Sequence, residues 1–215
     1  MSVAASAPKD KILFTVDIEG SGASISKHGI VSIGWCVGDL RGNVIEKRRV
    51  SLKLQNRTFE ERCLTEYWAK PEQKVQLEVF QREAIEPYDG IAAFMKAVDS
   101  YEDKYDVVIL SDNPAYDVAW LDSYIDTYLG RNPLLYKKDQ RTYRGIAEPK
   151  GWVFGRKLKS CSASANGNGN KIFVFDAGKY LQGLEKLKTT CPHDHWPEND
   201  AENIYRRTLL MLQCF

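Results

Sequence analysis

Apolar and polar positions along the chain fall into two kinds of period. Residues 12–18 (ILFTVDI) and 30–39 (IVSIGWCVGD) are β-branched and aromatic runs, and the second leads through Asp39-Leu40-Arg41-Gly42-Asn43 into a third, residues 44–54 (VIEKRRVSLKL). Together they predict a three-stranded meander. Thr65 to Gln81 has helical character interrupted by Pro71, and between Gly90 and Tyr101 the residues Ile91, Phe94, Met95 and Val98 recur at helical spacing. Residues 106–112 (DVVILSD) predict a short apolar strand, after which Asn113 reads as an N-cap and Pro114 as the first-turn residue of a helix to Leu129. Residues 171–176 (KIFVFD) predict another strand, 177–187 a helix and 197–212 a final one. The order β-β-β-α-β-α-β-α predicts an α/β fold, one mixed five-stranded sheet flanked by helices. Its strand-to-helix turn after residue 112 is where such sheets place ligands.

Composition narrows this picture. With 215 residues, 43% of them hydrophobic, the chain builds one sizeable core, so residues 1–215 read as a single domain. The longest nearly apolar run, Ile30 to Val37, contains Ser32 and Gly34 and is too short to span a bilayer, which predicts no membrane partner. The first residues, MSVAASAPKDK, have no basic leader followed by an apolar stretch, and the five cysteines form no Cys-x-x-Cys pair. A cytoplasmic or nuclear protein with free thiols, not a secreted one, is the expectation. The net charge of +1 hides one asymmetry: residues 131–171 carry ten Lys or Arg against Asp139 and Glu148, net +8, leaving −7 for the rest. This tract, about 131–170, reads as a basic insertion whose residues 160–170 (SCSASANGNGN) are low-complexity and expected to be mobile; interleaved Tyr136, Tyr143, Trp152 and Phe154 suit it to a nucleic-acid surface.

The candidate chemistry is carried by carboxylates. Asp17 and Glu19 lie two apart in a predicted strand, so both leave the same face while Ile18 points into the core. Two such anions repel unless a cation lies between them. Asp117 follows the apolar strand at residues 107–110 and falls in the first turns of the next helix, where an acidic residue also suits the helix dipole. Near the C-terminus, Pro197 starts a helix that puts Asp200 one turn in and leaves His195 on the preceding loop, so the two can converge.

Asp17-Ile-Glu19, Asn113-x-x-x-Asp117 after an apolar strand, and His195-x-x-x-x-Asp200, in this order, resemble the three motifs of the DEDDh 3′-to-5′ exonucleases, the superfamily of proofreading exonucleases and stand-alone DNA and RNA trimming enzymes. The resemblance covers residues 12–130 and 171–212; Asp112 departs from it, since many members carry His before the Asn. Residues 64–68 (LTEYW) also look like the Thr and aromatic-Trp segment of a phage-type branch. The resemblance implies a ribonuclease-H-like fold and a two-metal hydrolysis of phosphodiester bonds at the 3′ ends of single-stranded nucleic acid. Hard carboxylate oxygens select two ions of Mg²⁺ or Mn²⁺ rather than zinc. By the same resemblance Asp17 bridges both ions, Glu19 and Asp200 complete the site that activates water, Asp117 holds the leaving-group ion, and His195 is the general base.

Each residue also has a structural reading. His193 competes with His195 for the role of base, but shares a face with Asp200 only if helix runs through Pro197. His28 reads as a surface residue in a turn, and Asp176 as a cap. Tyr67 and Trp68 suit either a core or a nucleotide-stacking role. Gly20 and Ser21 follow the acidic strand, where Gly permits close approach to a sugar or base, and Asn113 stands in the second motif as a substrate contact. Two other functions remain open on these residues: a nucleic-acid-binding module that does not cut, and a dinucleotide phosphodiesterase. DNA and RNA are not separated, because recognition of a 2′-hydroxyl rests on pocket geometry.

Overall fold

The computed structural model describes residues 9–131, 134–139, 144–153 and 175–214. Strand β1 (Lys11–Gly20) pairs antiparallel with β2 (Ile30–Asp39), and β2 pairs antiparallel with β3 (Val44–Ser51), which is the expected meander. After a π-helical turn (Cys63–Tyr67) come α1 (Pro71–Glu83) and α2 (Pro87–Glu102). Strand β4 (Asp106–Leu110) runs parallel to β1 and is followed by α3 (Asp117–Leu129). A short β5 (Gly145–Ala147) extends the sheet parallel to β4, and the chain ends in α4 (Ala177–Thr190) and α5 (Pro197–Gln213). The strand order is β3-β2-β1-β4-β5.

Two expectations need correction. Pro71 begins α1 instead of interrupting a helix, because proline costs nothing at a first helical position, where no N–H is needed. Helix α3 starts at Asp117, not at Pro114, since residues 114–116 form a turn. The fifth described strand is β5, inside the tract expected to be an insertion, whereas most of the predicted strand 171–176 and all of the low-complexity segment 160–170 lie outside the described residues.

Alternation along β1 sets the two faces of the sheet. Ile12, Phe14, Val16 and Ile18 join a core with residues of α2 and α3, among them Phe94, Leu121 and Tyr124. Leu13 faces the other way, onto Ala201, Tyr205 and Leu209 of α5. Asp17 and Glu19 therefore rise on the α5 side. The Thr15 hydroxyl, on that face too, donates to Ala201 O at 2.7 Å and ties α5 to β1.

Gly34 decides how close α5 comes. It sits opposite Asp17 in the β1/β2 register, and a Cβ placed there would lie 2.0 Å from the Glu198 nitrogen and the Pro197 carbonyl carbon. The first turn of α5 thus rests on bare backbone beside Asp17, which brings Asp200 to it. Gly34→Ala forces the helix away from the sheet, and a stability loss of about 1–3 kcal/mol is expected for such overpacking. Thermal unfolding checks it; an unchanged melting temperature contradicts this account of the packing.

Candidate active site

The C-terminal end of β1, the β4–α3 turn and the start of α5 meet at one cluster of carboxylates. Ligand atoms of Asp17, Glu19 and Asp200 lie within 4.8 Å of one another, and so do those of Asp17, Asp112 and Asp117. Asp17 belongs to both groups. The structure thus brings the four expected carboxylates together and adds Asp112, whose position at the mouth of the β4–α3 turn was the available signal.

The surrounding bonds fix these groups. Tyr67 donates its hydroxyl to Glu19 Oε2 at 2.9 Å. The Ser111 hydroxyl donates to Asp117 Oδ2 and accepts from Asn113 N at 3.0 Å, so Ser111 organises the turn before α3. The Asn113 carbonyl accepts from the Tyr116 and Asp117 nitrogens, and its residue is exposed. Asp200 is 2% exposed; its Oδ1 accepts from Asp194 N at 3.1 Å, and its buried Oδ2 has no hydrogen-bond partner.

This arrangement is electrostatically costly without a cation. Burial, with Glu19, Asp117 and Asp200 alongside, raises the Asp17 carboxyl well above its ordinary range. Burial pushes Glu19 up to about 8 against the opposing pull of the Tyr67 bond, and Asp117 up to about 7 against that of Ser111. A partnerless buried oxygen on Asp200 and an all-oxygen set of crowded anions fit hard divalent cations: any such ion removes the repulsion that the fold otherwise carries.

Both histidines stand at the rim. His195, in a left-handed backbone conformation (φ 61°), places Nδ1 3.9 Å from Glu19 Oε1, while His193 places Nδ1 3.0 Å from Asp200 Oδ1. Pro197 does start α5, yet His193 still reaches Asp200, because the loop curls back over the helix end instead of continuing it. The bond to Asp200 raises the His193 imidazole, whereas burial and then the neighbouring His193 lower His195. His195, Glu19, Gly20, Tyr67 and Tyr116 line a cleft of about 560 Å³. At Gly20 a Cβ would lie 2.3 Å from the Tyr116 hydroxyl, so the space a side chain would take is filled by the end of that ring.

Residues around the cleft are tied into the scaffold. Trp68 is 2% exposed and packs edge-on to Phe80; its ring belongs to the core, and what it gives the cleft is an indole N–H donated to Gly20 O at 3.3 Å. Ser21 is fully buried, its hydroxyl donating to Thr58 O and accepting from Gly29 N, which holds the loop after β1. His28 Nδ1 lies 3.0 Å from Thr58 O in that same loop, and Asp176 caps α4 by accepting from Lys179 N. In the basic tract Arg144 is buried, not free: it pairs with Glu102 at 2.7 Å and Asp99 at 3.4 Å. Arg131, Lys137 and Lys138 also face acidic residues, at the end of α2 or at Asp106. Among the described residues this charge therefore serves largely to dock the tract; Arg141 lies outside them.

The mixed five-stranded sheet flanked by helices is consistent with a ribonuclease-H-like fold, and comparison with solved structures finds the same fold in exonucleases. Escherichia coli exonuclease I with single-stranded DNA, in a zinc-bound form, superposes with TM-score 0.57 at 12% identity over 96% of this chain and 40% of that one. The same enzyme with a 5cy-dT13 oligonucleotide gives TM-score 0.54 at 13% identity, covering 95% of this chain and 41% of that one. Exonuclease I of Methylocaldum szegediense gives 0.52 at 15% identity, covering 93% of this chain and 40% of that one. The chain thus spans about two fifths of the length of these proteins. No family model and no curated relative matches it. No helix among the described residues is long and apolar enough to cross a membrane.

Proposed function

We propose that this chain is a metal-dependent 3′-to-5′ exonuclease, hydrolysing phosphodiester bonds at the 3′ ends of single-stranded nucleic acid and releasing nucleoside 5′-monophosphates. The observation that carries the reading is that Asp17 belongs to two carboxylate groups at once, on a sheet shaped like that of exonuclease I crystallised with single-stranded DNA. Two cations of the Mg²⁺ or Mn²⁺ class suit the oxygen donors, and when bound they supply charge stabilisation for an attacking and a leaving oxygen. Asp17 would be the shared ligand, Glu19 and Asp200 would hold one ion, and Asp117 with Asp112 would hold the other.

His195 is the general base. Its imidazole sits at the cleft, and its lowered basicity keeps it neutral near pH 7, ready to take a proton from water. Tyr67 holds Glu19 in place and offers a ring at the cleft wall, Gly20 lines the cleft where the terminal nucleotide would lie, and Asn113 is an exposed contact on the β4–α3 turn. Linear single strands of DNA and RNA labelled at the 5′ end test the polarity. A ladder shortening from the 3′ end is expected on at least one of them, with a circular single strand left intact; efficient cutting of the circle overturns the exonuclease reading.

A further inference from the structure

The three-motif resemblance uses one histidine, and the loop before α5 carries two. His193, His195 and Asp200 each present a ligand atom within 4.8 Å of the others, and the imidazole rings are 4.5 Å apart, edge to face. Two imidazoles and a carboxylate differ in kind from the all-oxygen groups below them: they suit a borderline-soft transition ion such as Zn²⁺, which Mg²⁺ does not replace. We propose that His193, His195 and Asp200 form a zinc-class site, distinct in ligand chemistry from the carboxylate pair of sites, and that its occupation shuts down hydrolysis by engaging His195.

Three observations carry this beyond mere proximity. Asp200 is 2% exposed and turns its Oδ1 to His193 Nδ1 at 3.0 Å, while its buried Oδ2 has no hydrogen-bond partner, so the carboxylate keeps a lone pair to give. The loop is built before any ion arrives: the Asp194 carboxylate accepts from Trp196 N at 3.2 Å and Asn199 Nδ2 at 2.9 Å, and the Asp194 carbonyl accepts from the buried Gln76 side chain at 2.6 Å. That framework holds His193 and His195 on either side of Asp194. Lastly, His195 keeps a left-handed backbone, a conformation costly for a residue with a Cβ and one that persists only where its surroundings impose it.

The consequence for activity rests on the exonuclease reading; the site itself does not. An imidazole whose lone pair is given to an ion cannot accept a proton from water, and Asp200 would be withdrawn from the hydrolytic centre together with it. The test titrates the full chain with Co²⁺ as a spectroscopic stand-in and with Zn²⁺ alone, beside His193→Gln, whose side chain is 60% exposed in the parent. Unfolding curves without metal show that the variant is folded. Expected are visible d–d absorption bands at one equivalent of Co²⁺ that vanish in His193→Gln, and a Zn²⁺ affinity weakened by more than about tenfold. In the presence of Mg²⁺, the Zn²⁺ concentration that halves each protein's own rate should rise by the same factor. Identical Co²⁺ spectra and Zn²⁺ affinities in parent and variant overturn the proposal. If the His193-dependent bands appear but no strand is degraded, the site stands and the exonuclease reading fails. Mg²⁺-dependent degradation with no Co²⁺ bands leaves that reading intact and removes this one.

Discussion

Asp17→Asn should lose strand degradation by at least about 10³-fold, since one electrostatic donor alone is commonly worth 10²–10³ and Asp17 serves two groups at once. The same variant should melt higher than the parent in EDTA. The sign follows from linkage. Asp17, Glu19 and Asp117 all have carboxyls raised in the folded state, chiefly by burial, so the native protein binds their protons more tightly than the unfolded chain. The stability they confer is complete below the unfolded values, 3.8 for Asp and 4.5 for Glu, and is lost as pH rises through the folded ones, near 7 for Asp117 and 8 for Glu19. Metal-free parent protein should therefore lose stability between roughly pH 4 and 8, with a shallower fall in Asp17→Asn, and Mg²⁺ should restore the parent. Calorimetry across that range is the check; a variant that melts lower in EDTA, or that still degrades at the parent rate, contradicts the assignment.

His195→Ala should reduce the rate by about 10²–10⁴-fold, the usual contribution of a positioned general base. In the parent the rate should rise with pH as His195 loses its proton, and because its imidazole is lowered that limb should lie below the ordinary value of 6.5. The limb should disappear in His195→Ala and persist in His193→Ala. His193 is raised by its bond to Asp200 and so keeps its proton to higher pH, which suits it poorly to accept one. A limb lost only in His193→Ala would transfer the role.

What the sequence made legible was whatever depends on period and on helix starts. Alternation alone put Asp17 and Glu19 on one face with Ile18 beneath, and Pro197 fixed the turn of α5 that carries Asp200. Tertiary approach is different in kind. Nothing local marks Gly34 as the point where α5 meets the sheet, and a three-residue strand such as β5 is too short for any alternation to register. Trp68 and Ser21 show the same limit: an aromatic or hydroxyl beside a site can serve the substrate or the scaffold, and only burial, here nearly complete for both, decides. Arg144 looked like surface charge because the acidic end of α2 that receives it lies more than forty positions earlier in the chain. Asp112 stood out in the sequence as a departure from a motif and by its place at the mouth of the β4–α3 turn, and the turn brings it to Asp17 and Asp117 as a further carboxylate.

The central claim is that this cluster of carboxylates cuts nucleic acid only with divalent cations in place. A time course on 5′-labelled single strands with Mg²⁺, then with EDTA, then with Mg²⁺ restored in excess, tests it most directly. Stepwise shortening in the first and third conditions and none in the second is the predicted result; undiminished degradation in EDTA would contradict it.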